Sequence, residues 1–300
     1  MIASTSPLAQ QWSRPGTLDF FVSPDGLELF QITTQKFQAR FAIQGAHLAN
    51  FSTASGPLLF LSQSTYFAPG KAIRGGIPVI FPWFGPREGH PESPMHGLVR
   101  SRPWNLSLID IHEDGTAQVT FQFSDTAETR SVWPFSFDTT LTFTLSSSID
   151  ISWTVQNTGS EPFTFEQALH PYFPISSIHN ISITGLEGIT YIDKTDSMKH
   201  KVEGNSPIHF SGETDRLYIN TASSCTVHES APNPSLVFSK SGSASTVVWN
   251  PWEAKAKALA DLGDNEWLTF VCVEQANANA NAITLQGGAS HLFTAHYAFA

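Results

Sequence analysis

In three runs between residues 119 and 155 the apolar side chains keep to odd numbers. Val119, Phe121 and Phe123 alternate with polar neighbours, as do Phe137, Leu141, Phe143 and Leu145, and then Ile149, Ile151, Trp153 and Val155. A helix repeats about every 3.6 residues, whereas successive side chains of a strand point to opposite faces, so this alternation demands half-buried strands. Asp114-Gly115 and Asn157-Thr158-Gly159 fall between the runs and supply turn chemistry. The middle of the chain therefore reads as an antiparallel meander.

The flanking segments carry the same character in shorter runs. Hairpin strands are expected over 18–51, broken at Pro24-Asp25-Gly26, with one strand over 181–191 and others over 217–219, 226–228, 236–238, 246–249, 267–274, 283–285 and 291–299. One helix is expected over 252–259, with Asn250 as cap, Pro251 at the first position and Glu253 and Lys257 paired four residues apart. Hydrophobic residues at 41%, 23 of them Phe and 8 Trp, against 14% charged, supply a thick aromatic core. No interior linker or repeat divides the chain. The expectation is one all-β domain over residues 1–300, a large antiparallel β-sandwich with minor short helices, preceded over 1–17 by a loosely ordered extension.

Charge and cysteine usage narrow the function. A net charge of -10 excludes a general nucleic-acid or anionic-membrane surface, so any anion site must be local. Cys225 and Cys272 make no metal-like spacing and no disulfide framework. With no basic, apolar leader and no apolar run of about 18 residues, the chain reads as a soluble cytoplasmic protein with no membrane partner, acting as a monomer. The 11 histidines show no short ligand spacing, so no metal and no cofactor are expected.

Two regions hold side chains suited to chemistry. The loop over 71–104 sets Arg74, His96 and Arg100 among Gly75, Gly76, Pro78, Pro82, Pro86 and several aromatics. Arginine forks held on such a stiff loop suit a phosphate or carboxylate. His170 stands at a strand end before Pro171, and alternation puts Glu274 on the same face as Phe270 and Cys272. An inward carboxylate is costly unless partnered, so a polar pocket is expected there, and a histidine with a carboxylate makes a general acid and a general base.

Six segments in order strengthen this reading: Ala-Ile-Arg-Gly-Gly-Ile-Pro-Val with Pro-Trp-Phe-Gly-Pro, His-Gly-Leu-Val-Arg, Ala-Leu-His-Pro-Tyr-Phe, Glu-Thr-Asp-Arg-Leu-Tyr, Val-Val-Trp-Asn-Pro-Trp and Val-Cys-Val-Glu. Together, from about residue 44 to 286, they resemble the hexose-6-phosphate mutarotases, the glucose-6-phosphate 1-epimerase branch of the aldose 1-epimerase superfamily. The resemblance implies a galactose mutarotase-like supersandwich that interconverts the anomers of hexose 6-phosphates without metal or cofactor. It implies His170 as the acid on the ring oxygen and Glu274 as the base on the anomeric hydroxyl. It further implies Arg74 and Arg100 as phosphate contacts, Asp215 as a sugar contact and His96 as a pocket residue. Met95 stands where some relatives carry Gln. A silent sugar-phosphate-binding module on the same sandwich is the alternative. A mutarotase of neutral sugars would leave the two arginines nothing to pair with.

Overall fold

The computed structural model describes residues 1–230 and 233–300. The alternating residues do what their spacing dictates: all eleven from Val119 to Val155 are buried, and their strands pair antiparallel, with Leu141 opposite both Phe121 and Trp153. Thr139 occupies an inward position without orphaning its hydroxyl. It donates to the Thr154 carbonyl and accepts from the Trp153 indole at 2.6 Å.

These strands belong to an eight-stranded sheet that runs, edge to edge, Ser182–Thr184, Cys225–His228, Leu236–Ser241, Ser290–Phe299, Ile149–Asn157, Phe137–Leu145, Ala117–Ser124 and Asn105–Ile111. A six-stranded sheet in simple chain order covers one part of its inner face. There Phe30 and Phe41 pack on Phe121, with ring centroids 6.2 and 5.8 Å apart, and Phe41 meets Phe143 edge-on at 5.1 Å. Each such fully buried ring contributes roughly 1.5–3 kcal/mol. A second eight-stranded sheet covers the rest, in the order Lys199–Val202, Thr190–Asp193, Thr214–Ile219, Ser245–Asn250, Phe270–Asn277, Gln167–Leu169, Val79–Ile80. The Tyr172–Pro174 strand pairs with Phe270–Asn277 off this path. Phe173 packs on Phe238 at 4.3 Å and on Tyr297 at 5.5 Å, joining the two large sheets. One apolar cluster extends from Ala9 to Tyr297, as the aromatic-rich composition requires.

Some expectations are revised. Residues 1–17, read as loose, carry the strand Ile2–Ala3 on the edge of the six-stranded sheet and the helix Pro7–Trp12, capped by the Ser6 hydroxyl. The run over 181–191 is two strands, not one. A turn closed by the Ile189 N–H on the Leu186 carbonyl sends Ser182–Thr184 to one sheet and Thr190–Asp193 to the other. The expected helix is present as Trp252–Lys257, with the Glu253–Lys257 pair at 2.8 Å and the Asn250 carboxamide oxygen accepting the Trp252 N–H. Pro251 sits just before it. A further helix, Ala127–Val132, has no strong start signal in sequence beyond Thr126, whose hydroxyl accepts the Thr129 N–H.

Candidate active site

His170 follows the Gln167–Leu169 strand, and its N–H donates to the Pro78 carbonyl at 3.0 Å. Its ring lies flat on Tyr172, 4.9 Å between centroids, with the edge of Trp249 at 5.7 Å. Glu274 stands on the neighbouring Phe270–Asn277 strand, inward, as alternation predicts. Its Oε1 is 3.2 Å from His170 Nε2, and the side chains are 2% and 12% exposed. His170 Nδ1 and Glu274 Oε2 are buried with no protein partner among the described residues. Such atoms are tolerated where a site must accept a ligand's polar groups.

Burial dominates both titrations. It pushes the Glu274 carboxyl well above the usual range, with the Lys194 cation opposing and Asp215 adding to the rise. It pulls the His170 imidazole well below its usual value, helped by His96, Arg74 and Arg100. Both directions favour a pair that carries one proton between them, and the acid and base limbs belong to the pair.

The loop over 71–104 delivers the remaining groups. Gly76 has φ 62°, and a side chain there would press on the Leu48 carbonyl at 2.3 Å, so glycine lets the Arg74 segment lie flat against the His47–Thr53 strand. At Gly97 a Cβ would lie 2.0 Å from the Phe81 carbonyl oxygen. That close approach carries His96, itself at φ 64°, over the site. The Gly85 N–H donates to His96 Nδ1 at 3.1 Å, which leaves the ring proton on Nε2. Burial and the cations Arg100, Lys194 and Arg74 lower its pKa to about 3, so the ring is neutral. It meets His170 edge-on, 6.1 Å between centroids.

The arginines, alike in sequence, differ in setting. Arg74 donates from Nε to Asp261 Oδ1 at 3.1 Å and from Nη1 to Tyr172 Oη at 3.0 Å, so its charge is partly matched. Arg100 is half-buried and has no carboxylate partner among the described residues. Burial lowers its pKa, with Tyr172 opposing and Arg74 adding to the fall. A half-buried guanidinium beside a second one is a place for an anion. Asp215, on the Thr214–Ile219 strand, pairs with Lys194 at 3.1 Å.

All six sequence candidates, Arg74, His96, Arg100, His170, Asp215 and Glu274, thus gather on one face of the second eight-stranded sheet. Lys194, Asp261 and Tyr172 join them without having been singled out. Asp261 lies 187 residues from Arg74, and nothing local marks it. Two concavities lie elsewhere: about 350 Å³ on the outer face of the first eight-stranded sheet, around Asp150 and His296, and about 660 Å³ along the loops near Ser64 and Asn265. The first holds a His296–Asp150 pair at 2.7 Å with Lys240 in its lining, but that pair is exposed, and neither concavity sets a buried histidine–carboxylate pair beside two arginines as the His170–Glu274 face does, so chemistry rather than volume selects the site.

The sequence matches the family model for aldose 1-epimerase over residues 28–298. It is 34% identical over 269 residues to an Escherichia coli protein named "Putative glucose-6-phosphate 1-epimerase", covering 89% of each chain. A Cenchrus ciliaris protein of the same name is 33% identical, covering 89% of this chain and 83% of its own. Among solved structures, that of a "putative mutarotase" from Salmonella typhimurium superposes with a TM-score of 0.87 at 28% identity, over 100% of this chain and 96% of that one. A galactose mutarotase-like protein from Lactobacillus casei shares the fold at a TM-score of 0.71 and 19% identity, over 91% of this chain and 100% of that one. With a family model that matches over nearly the whole length and relatives that agree with it, the chain belongs to the aldose 1-epimerase family.

Proposed function

We propose that the protein interconverts the α and β anomers of hexose 6-phosphates, chiefly glucose 6-phosphate, by acid/base-catalysed ring opening and reclosure. The observation that carries this reading is the buried His170–Glu274 contact at 3.2 Å, with Arg100, which has no carboxylate partner among the described residues, in the same cluster. Glu274, ionised, takes the proton of the C1 hydroxyl while His170, protonated, gives its proton to the ring oxygen. The bond from C1 to the ring oxygen breaks and C1 becomes a carbonyl. Rotation about the bond from C1 to C2 presents the other face, and the two transfers reverse on closure. No electron is gained or lost, so the balance needs only the one proton that the pair already holds.

Ring opening converts a charged pair into a neutral one. Burial favours the neutral pair, which supports the opening step, and each positioned transfer contributes typically about 10²- to 10⁴-fold. Arg100, with Arg74 beside it, suits the 6-phosphate and would fix the ring through its far end while C1 stays free to turn. His96, neutral and with its proton on Nε2, suits a sugar hydroxyl, as does Asp215. The family model and the names of the relatives from E. coli and C. ciliaris agree with this substrate class.

The deciding experiment is anomer exchange followed by magnetisation transfer, with glucose 6-phosphate and with free glucose. Exchange of glucose 6-phosphate well above the spontaneous rate, with free glucose far behind, is the expected result. Tight binding of glucose 6-phosphate with no added exchange would instead identify a silent binding module and overturn the catalytic reading.

A further inference from the structure

Lys194 follows the Thr190–Asp193 strand, near one edge of the second eight-stranded sheet. Phe84 lies in the loop that follows Val79–Ile80 at the opposite edge, and four strands intervene in the sheet order. Five strand spacings of about 4.8 Å would separate the two strands by about 24 Å in a flat sheet, far beyond a lysine's reach. Yet Lys194 Nζ is 4.5 Å from the centroid of the Phe84 ring. The sheet must curl and the loop must fold over it, and the ammonium spans the gap. On the other side the same Nζ is 3.1 Å from Asp215 Oδ1. The Lys194 N–H also donates to the Asp215 carbonyl at 3.0 Å, which fixes the backbone beneath the ion pair.

This bridge crosses the face that holds the acid–base pair. The titratable groups coupled to Glu274 come from every element around it: His170 after the 167–169 strand, Tyr172 on the 172–174 strand, Cys272 on its own strand, Asp215 on the 214–219 strand, Lys194, and Tyr297 from the sheet behind. The cations Arg74 and Arg100 and the His96 ring bear on His170. Among these, Lys194 is the cation that favours an ionised Glu274, and Asp215 is the anion that opposes it. Resting on the proposed reaction, we propose that Lys194 is a positioning residue: it straps Asp215 to Phe84 across the site, neutralises Asp215 and supplies the positive field that lets Glu274 work as a base. A cation stacked on an aromatic face and paired with a carboxylate is held still, so its field does not need to reorganise as the proton moves.

The test is the pH profile of kcat/KM for glucose 6-phosphate anomer exchange in wild type, K194M, D215N, the double variant and K194R. Removing a cation raises the proton affinity of every group near it, and removing an anion lowers it. Both limbs should therefore move to higher pH in K194M and to lower pH in D215N. In the double variant they should return close to wild type, because both charges are gone. The plateau in K194M should fall by about tenfold, the equivalent of one protonation unit on the pair, and K194R should recover most of it. Lost packing alone would lower the melting temperature without moving the limbs in opposite directions. If K194M does not fold, the D215N and K194R profiles carry the test. Limbs that stay in place in K194M and D215N while exchange persists would overturn the proposal, as would a rise in KM for glucose 6-phosphate alone, the mark of a phosphate contact. Absence of exchange in the wild-type protein is a different outcome, which removes the proposed reaction itself.

Discussion

A carboxyl group at Glu274 is buried with one oxygen lacking a protein partner among the described residues, and burial holds it above the usual carboxylate range. In the unfolded chain the same group ionises near its ordinary value. Above that value the unfolded state binds fewer protons than the folded one, so this residue's contribution to stability is lost as pH rises toward its folded pKa. Glu274→Gln should therefore melt higher than wild type near pH 7, with the difference fading near pH 4. The same variant cannot take a proton, and anomer exchange should fall by at least ~10²-fold while glucose 6-phosphate still binds by calorimetry. A variant that exchanges anomers at the wild-type rate removes Glu274 from the mechanism. The arginines give a second contrast. Arg100→Ala should cost about 1.5–3 kcal/mol of glucose 6-phosphate binding and leave free glucose nearly unchanged. Arg74→Ala should weaken both, because Arg74 also holds the Tyr172 hydroxyl against which His170 is stacked. Titration of each variant with both sugars separates these outcomes, and equal losses in Arg100→Ala would exclude its phosphate role.

At the level of elements, strands were legible and short helices were less so. Alternation is written into residues 119–155 and needs no tertiary information, whereas a helix of six residues has too few turns to show a period. Pro7–Trp12 did carry a signal in Ser6-Pro7, a cap followed by proline at the first position. Before Trp252–Lys257 the Asn250 side chain does more than accept the first helical N–H. Asn250 is fully buried, and its Nδ2 donates to the carbonyls of Trp267 and Phe270 at 2.8 and 2.9 Å while its Oδ1 accepts from Trp252. Asn250 thereby ties three elements together beside Trp249, which meets His170 edge-on. Asn250→Ala would orphan two carbonyls and one N–H, and at least ~2 kcal/mol of stability should be lost in urea unfolding. A loss within a few tenths of a kcal/mol would show that water replaces the side chain without cost.

Across the whole molecule the aromatic contacts join sheets that sequence order keeps apart. Phe41 of the six-stranded sheet meets both Phe121 and Phe143 of the eight-stranded one. Phe41→Ala should destabilise by about 3–5 kcal/mol, and both sheets should still melt in one transition by near- and far-UV circular dichroism. Two separated transitions would mean that the sheets fold as independent units. The residues alone determined the all-β class and the buried faces of the central strands, and they singled out the two arginines, two histidines, aspartate and glutamate that we propose form the site. They did so because alternation is local and because the six motifs sit in short, continuous segments. Only the tertiary structure decided that Asp261 pairs with Arg74 while Arg100 has no carboxylate partner among the described residues, and that Lys194 reaches Phe84 across four strands. The physical reason is distance along the chain: Arg74 and Asp261 are 187 residues apart, and whether such a pair forms depends on sheet curvature and loop approach, which no local pattern encodes.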